Sequence, residues 1–145
     1  MIKPIITNIY ELKKPCIEVQ KEEDIIQIIQ DLKDTFNSVK AYGISANQIG
    51  YNKKISYIKI PGEEEIVLIN PQIIEKEEKI INRKESCLSF PNVYIDCDRW
   101  NQITITTNGL SYQKYVCYGL EAIILQHEID HLNGITIFDR KHKAR

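Results

Sequence analysis

His127-Glu128-Ile129-Asp130-His131 places two imidazoles four residues apart with a carboxylate beside the first. On a helix, positions i and i+4 lie one turn apart on one face, so both rings can reach one metal ion. Glu128 falls at the edge of that face, where it can act on a water held by the ion without ligating it. The plainer alternative is a pair of histidines at the edge of a core. Against it, the chain has only three histidines, and two of them share one apolar helical stripe. A buried neutral pair needs hydrogen-bond partners, which a metal replaces for both rings at once. Two ligands do not complete a catalytic zinc-type site, which wants three from the protein and an open position. The tail after the motif offers Asp139 and His142, without the extended metalloprotease spacing. Upstream, Glu85-Ser86-Cys87-Leu88-Ser89 offers Cys87, whose thiolate would make a Cys-His-His set. Glu85 and Asp130 each read equally as a solvated charge or as an acceptor for a ligand histidine's second N–H.

The elements that must position these groups follow from periodicity. Apolar residues at Ile25, Ile28, Ile29, Leu32, Phe36 and Val39 predict an amphipathic helix within 22–40, with acids at its start. Residues 41–50 are small and polar, a loop or irregular strand. Residues 54–60 and 65–69 read as strands joined by a turn at Pro61-Gly62. Residues 72–82 are isoleucines around a charged middle, either a strand pair or one long edge strand. A short strand is expected at 92–97. Two more, 101–107 and 110–117, flank Asn108-Gly109, the strongest short hairpin signal. In 119–133 the period switches to helical, with Leu120, Ile123, Ile124, His127 and His131 on one stripe and Asn133-Gly134 as the stop. The order predicts an α+β domain: antiparallel strands packed around the C-terminal HExxH helix, with an N-terminal amphipathic helix.

Composition narrows the function. At 145 residues the chain is the size of one domain, 1–145, with a core that needs no disulfide staples. Nineteen basic against twenty acidic side chains give a net charge of -1, so no basic field for DNA exists. The basic residues 141–145 read as a solvated end. No apolar run is long enough for a membrane span, and the first residues lack a signal-peptide core. The expected compartment is the reducing cytoplasm, where Cys16, Cys97 and Cys117 serve as small buried hydrophobes. Isoleucine numbers 28 against 8 leucines. That excess fits a sheet-rich core or AT-rich coding.

Together these residues resemble the peptide deformylases. That family carries GxGxAAxQ, EGCLS and QHExDHLxG in this order. Here they read Ala41-Tyr42-Gly43-Ile44-Ser45-Ala46-Asn47-Gln48, Glu85-Ser86-Cys87-Leu88-Ser89, and Gln126 through Gly134. The third is intact, and residues 12–19 also look like the family's opening. The resemblance implies removal of the formyl group from N-formylmethionyl peptides, nascent chains at the ribosome. It implies one divalent ion held by Cys87, His127 and His131, Fe(II) in the family, with zinc, nickel or cobalt as other occupants. Affinity alone ranks zinc above Fe(II) in such a site. Glu128 would be general base and then acid; Gln48 and the Leu88 N–H would meet the developing oxyanion. Tyr42, Gly43, Ile44, Ser86, Leu120, Ile123 and Ile124 would line the substrate slot, with the peptide extended beside the first motif.

The sequence departs from that pattern at Ala41, Ser45 and Ser86. Ala41 strains the loop only if the family glycine there needs a positive φ. Ser45 for Ala is a small change. Ser86 adds a side chain where peptide should approach. Tyr118 stands where an acidic helix cap is common, weakening the cap. The chain stops about ten residues after the helix, so it reads as a short form without the family's C-terminal extension. Two other readings stay open: a different HExxH metallohydrolase or peptidase, which would not need Cys87, and a deformylase-like peptide-binding protein without turnover.

Overall fold

The structure, a computed structural model, describes residues 1–108 and 114–143. In chain order it runs α1 (Ile9–Leu12), α2 (Ile26–Asn37), β1 (Gly43–Ser45), β2 (Ile55–Ile58) and β3 (Ile66–Ile69). Then follow β4 (Gln72–Cys87), β5 (Phe90–Thr106), β6 (Lys114–Tyr118) and α3 (Gly119–Leu132). Short 3-10 turns cover Ala46–Ile49 and Ile137–Arg140. Helices therefore mix with two antiparallel three-stranded sheets, β1-β2-β3 and β4-β5-β6.

Strand alternation sorts the first sheet's side chains between two helices. Ile44, Ile55 and Tyr57 join Ile28, Leu32 and Phe36 of α2 in one core. On the other face Ile58 and Leu68 pack with Ala122, Leu125 and Ile129 of α3, and Ile103 and Ile105 of β5 close that core from the second sheet. The first sheet is thus covered on both faces, and α3 is wedged between the two sheets. The register Gly43↔Ile58, Ile44↔Tyr57, Ser45↔Ser56 puts positions 43 and 45 on the α3 side and 44 on the α2 side.

The helix predicted over 22–40 is shorter, because Glu22 adopts a φ of 71° and Asp24 caps the amide of Ile26. The turn at Pro61-Gly62 forms as expected, with Gly62 at φ 84°. Residues 72–82 belong to one long strand that continues to Cys87 and, among the described residues, pairs with β5 alone, at the sheet edge. Its charged middle guards an open edge against pairing with another chain. The strands expected at 92–97 and 101–107 are a single strand, since nothing between them breaks the pairing with β4. The expected Asn108-Gly109 turn runs into residues outside the described ones; β5 and β6 pair antiparallel with Thr106 opposite Lys114, a register centred beyond a two-residue turn at 108–109. Helix α3 starts at Tyr118 without a side-chain cap, as expected. Two residues past its last residue, Leu132, comes Gly134, where an added Cβ would meet the Lys13 carbonyl oxygen at 2.4 Å. That glycine lets the N-terminal segment lie against the helix end, where the Cys16 N–H donates to the Leu132 carbonyl at 2.9 Å.

Candidate metal centre and cleft

Three elements converge on one point. Cys87 ends β4, and His127 and His131 lie one turn apart on α3. Their potential ligand atoms all fall within 4.8 Å of one another. The Cys87 sulfur is 3.2 Å from His131 Nε2. One ion with metal–sulfur near 2.3 Å and metal–nitrogen near 2.0–2.1 Å would separate tetrahedral donors by about 3.5 Å. The donor set therefore fits an ion with small adjustment. His131 is fully enclosed, and burial with the nearby His127 and Arg99 charges depresses its pKa, favouring the neutral ring that ligates metals. Asp139 and His142 are committed elsewhere: Asp139 accepts from the Thr136 amide at 2.9 Å, and His142 pairs with Asp98 at 2.7 Å.

Buried charge holds His127 in place. Its Nδ1 lies 3.2 Å from Glu85 Oε2. Glu85 in turn takes Arg99 Nε at 2.9 Å, and Arg99 Nη1 reaches Asp130 at 2.6 Å. Asp130 also receives Arg140 Nε and Nη2 at 3.0 and 2.9 Å. The result is a ladder of alternating charge from Arg140 to His127. Burial opposes ionising Glu85, but its bonds from His127 and Arg99 outweigh that and hold it well below the usual carboxylate range. Glu85 therefore stands as the acceptor facing His127 Nδ1. Asp130 does neither thing expected of it; it anchors two arginines. Arg99 is only 2% exposed. Replacing it with Met would strip buried Glu85 of its arginine and leave Asp130 with Arg140 alone. A loss of about 3–5 kcal/mol is expected, read as a thermal midpoint lowered by roughly 10–15 °C. A shift of under about 3 °C would show the ladder to be energetically idle.

Glu128 is buried beside the cluster. Burial pushes its carboxyl upward, partly offset by His127 and by a hydrogen bond from Ser45, an environment in which a carboxyl group can exchange a proton near neutral pH. The Ser45 hydroxyl lies 2.9 Å from Glu128 Oε1 and 2.7 Å from the Ser56 hydroxyl. A Cβ at Gly43 would fall 2.9 Å from Glu128 Cγ and Oε2. The glycine is thus the space in which the carboxylate sits. Gln48 is buried on a 3-10 turn, its Oε1 accepting from the Ser45 amide at 2.9 Å. That fixes its Nε2 toward Ser89 Oγ at 3.1 Å and Cys87 sulfur at 3.7 Å.

A cleft of ≈ 960 Å³ opens over these groups. Tyr42, Gly43, Ser86, Leu120, Ile123 and Ile124 border it, together with Gln48, Leu88, His127 and Glu128. The stripe from Leu120 to His127 therefore faces the cleft, while Ala122, Leu125 and Ile129 supply the core face of α3. Ile44 is different. Its side chain is 0% exposed and packs under α2, so alternation leaves only its backbone for any substrate contact. Ala41 is not among the residues with positive φ, so alanine there is unstrained. Ser45 is a larger change than its size suggests, because its hydroxyl touches Glu128. Cys16, Cys97 and Cys117 are buried free thiols, raised by burial to about 11, 12 and 12.

Comparison with known proteins agrees with this geometry. A family model described as polypeptide deformylase matches residues 3–145. A peptide deformylase of Aquifex aeolicus is 37% identical over 139 residues, spanning 89% of this chain and 80% of the relative. The crystal structure of a peptide deformylase from Thermotoga maritima has a TM-score of 0.89 at 28% identity, covering 99% of both chains. A class I type b peptide deformylase from Acinetobacter baumannii, bound to Met-Ala-Ser, has a TM-score of 0.87 at 25% identity, covering 97% of this chain and 99% of that one.

Proposed function

Since the chain belongs to the polypeptide deformylase family, we propose that Cys87, His127 and His131 hold one divalent ion and that Glu128, Gln48 and Leu88 act on the formyl group beside it. The protein is a metal-dependent peptide deformylase, hydrolysing the formyl group from N-formylmethionyl peptides and releasing formate. The observation that carries the residue assignment is convergence: a proton acceptor, an amide donor, Cys87 and His127 border one cleft, with His131 buried beside them in the same ligand cluster.

When bound, the ion supplies a Lewis acid and lowers the pKa of water toward 7. Glu128 takes the proton of the attacking water and delivers it to the leaving amine. The Ser45 hydroxyl and the vacant side-chain space at Gly43 fix where its carboxylate can be. Gln48 Nε2, locked through Oε1, and the Leu88 N–H donate to the formyl oxygen as it gains charge; one such donor is worth about 2.7–4 kcal/mol. Glu85 turns the His127 ring so that Nε2 faces Cys87.

The peptide lies along the free edge of β1. The Tyr42 carbonyl is taken by the Lys59 amide of the next strand, so alternation turns the Gly43 N–H and C=O outward. Ile123, Ile124 and Leu120 supply an apolar slot for the methionine side chain. Family resemblance favours Fe(II), which elemental analysis of anaerobically purified protein would test. Nascent chains at the ribosome, in the cytoplasm, are the proposed source of substrate. Freshly prepared Fe(II) protein is expected to release formate from formyl-Met-Ala-Ser. Absence of release under anaerobic conditions would overturn the assignment.

A further inference from the structure

Strand direction carries the argument beyond the formyl group. β1 runs toward Gln48, and β4 runs toward Cys87. A peptide whose amino end lies at Cys87 and which pairs antiparallel with β1 must therefore leave past Gly43 toward residue 40. On the opposite wall it retreats from Cys87 toward residue 84. Lys40 lies three residues before Gly43, and Lys84 three before Cys87. At no more than about 3.3 Å per residue each lies within roughly 10 Å of Gly43 or Cys87 along its wall, in reach of the third or fourth peptide residue.

Both lysines border the cleft and are exposed. The acids bordering it among the described residues are Glu85 and Glu128, both buried. Glu85 is spent on Arg99 and His127, and Glu128 is held by Ser45. The third cation on the rim, Arg83, is already matched by Asp96 at 3.0 Å. Lys84 is placed there by a distortion of the strand. Its φ is 53°, its amide donates to Asp96 at 3.0 Å, and the β4–β5 register shifts between Asn82 and Glu85. Bulges of this kind beside a site re-aim side chains.

We propose that Lys40 and Lys84 make the outer cleft select peptides with acidic side chains at the third or fourth position after the chain start. This rests on the deformylase reading and names its preferred substrates. Exposed charges at contact range in water are each worth up to about fivefold, so two give up to roughly 25-fold between the acidic and the neutral peptide, shrinking as salt rises.

The test uses metal-loaded protein and three amidated peptides: formyl-Met-Ala-Glu-Glu, formyl-Met-Ala-Gln-Gln and formyl-Met-Ala-Lys-Lys. At low salt kcat/KM is expected to fall in that order, and Lys40→Glu with Lys84→Glu to reverse it at unchanged metal content. Equal rates for the three peptides, or an order unmoved by the double substitution, would overturn the proposal. Affinities of the same peptides for the metal-loaded Glu128→Gln protein read selectivity without turnover. Ordered affinities with no turnover by the parent protein would sustain the charge selection and overturn the deformylase reading alone. Equal affinities would overturn the selection.

Discussion

Glu128→Gln is expected to keep its metal and lose about 10²- to 10⁴-fold in turnover. The exchange keeps shape and volume in the space beside Gly43, where a single added carbon would already collide. It can still accept the Ser45 hydrogen bond at Oε1. What it cannot do is take a proton from water. Formate release and elemental analysis on one preparation separate the two effects. Turnover within about tenfold of the parent would remove Glu128 from its role as base. A peptide-binding protein without turnover would gain nothing from a base so placed, so this substitution also bears on that reading.

The second large effect concerns the metal itself. Substituting groups that merely orient a ligand typically costs 10- to 100-fold in metal affinity, so Cys87→Ala is expected to exceed about 100-fold. The variant should be purified with little metal while its two histidines remain on α3. Retention of one equivalent would mean that the third ligand lies elsewhere, as a different HExxH hydrolase requires. The described residues leave that alternative few candidates. Asp139 closes its own 3-10 turn, and His142 is paired with Asp98.

The metal-binding pattern was legible because helical periodicity makes i and i+4 neighbours whatever surrounds them. Cys87 was legible as a thiolate able to complete the ligand set, whereas Gln48 and Gly43 were legible only through motif resemblance, since nothing local marks a loop glutamine. Period-two alternation along β5 carries a further signal. Cys97, Arg99, Ile103 and Ile105 all face inward, which puts a guanidinium in the core and demands buried acids around it. The contact of Ser45 with Glu128 was not legible, because it joins β1 to α3 across the interior. The stripe on α3 was visible, but whether it faced core or cleft was not. That depends on the two sheets that grip the helix. Likewise the merging of 92–97 with 101–107 follows from continuous pairing with β4, a non-local fact.

The wedging of α3 between the two sheets bears on how the chain folds. Ser45 and Glu128 are 83 residues apart in sequence, and Cys87 and His131 are 44 apart. Contacts of such separation form slowly, because long loops must close before any contact rewards them. Only the histidine pair is local, and two histidines on a helix bind weakly without the sulfur. With Cys87, His127 and His131 as the proposed ligands, high metal affinity would arrive last, after both sheets have closed on the helix. The ion then binds the folded chain in preference to the unfolded one and draws the equilibrium toward it. Metal uptake during refolding would time the final docking step rather than the first collapse.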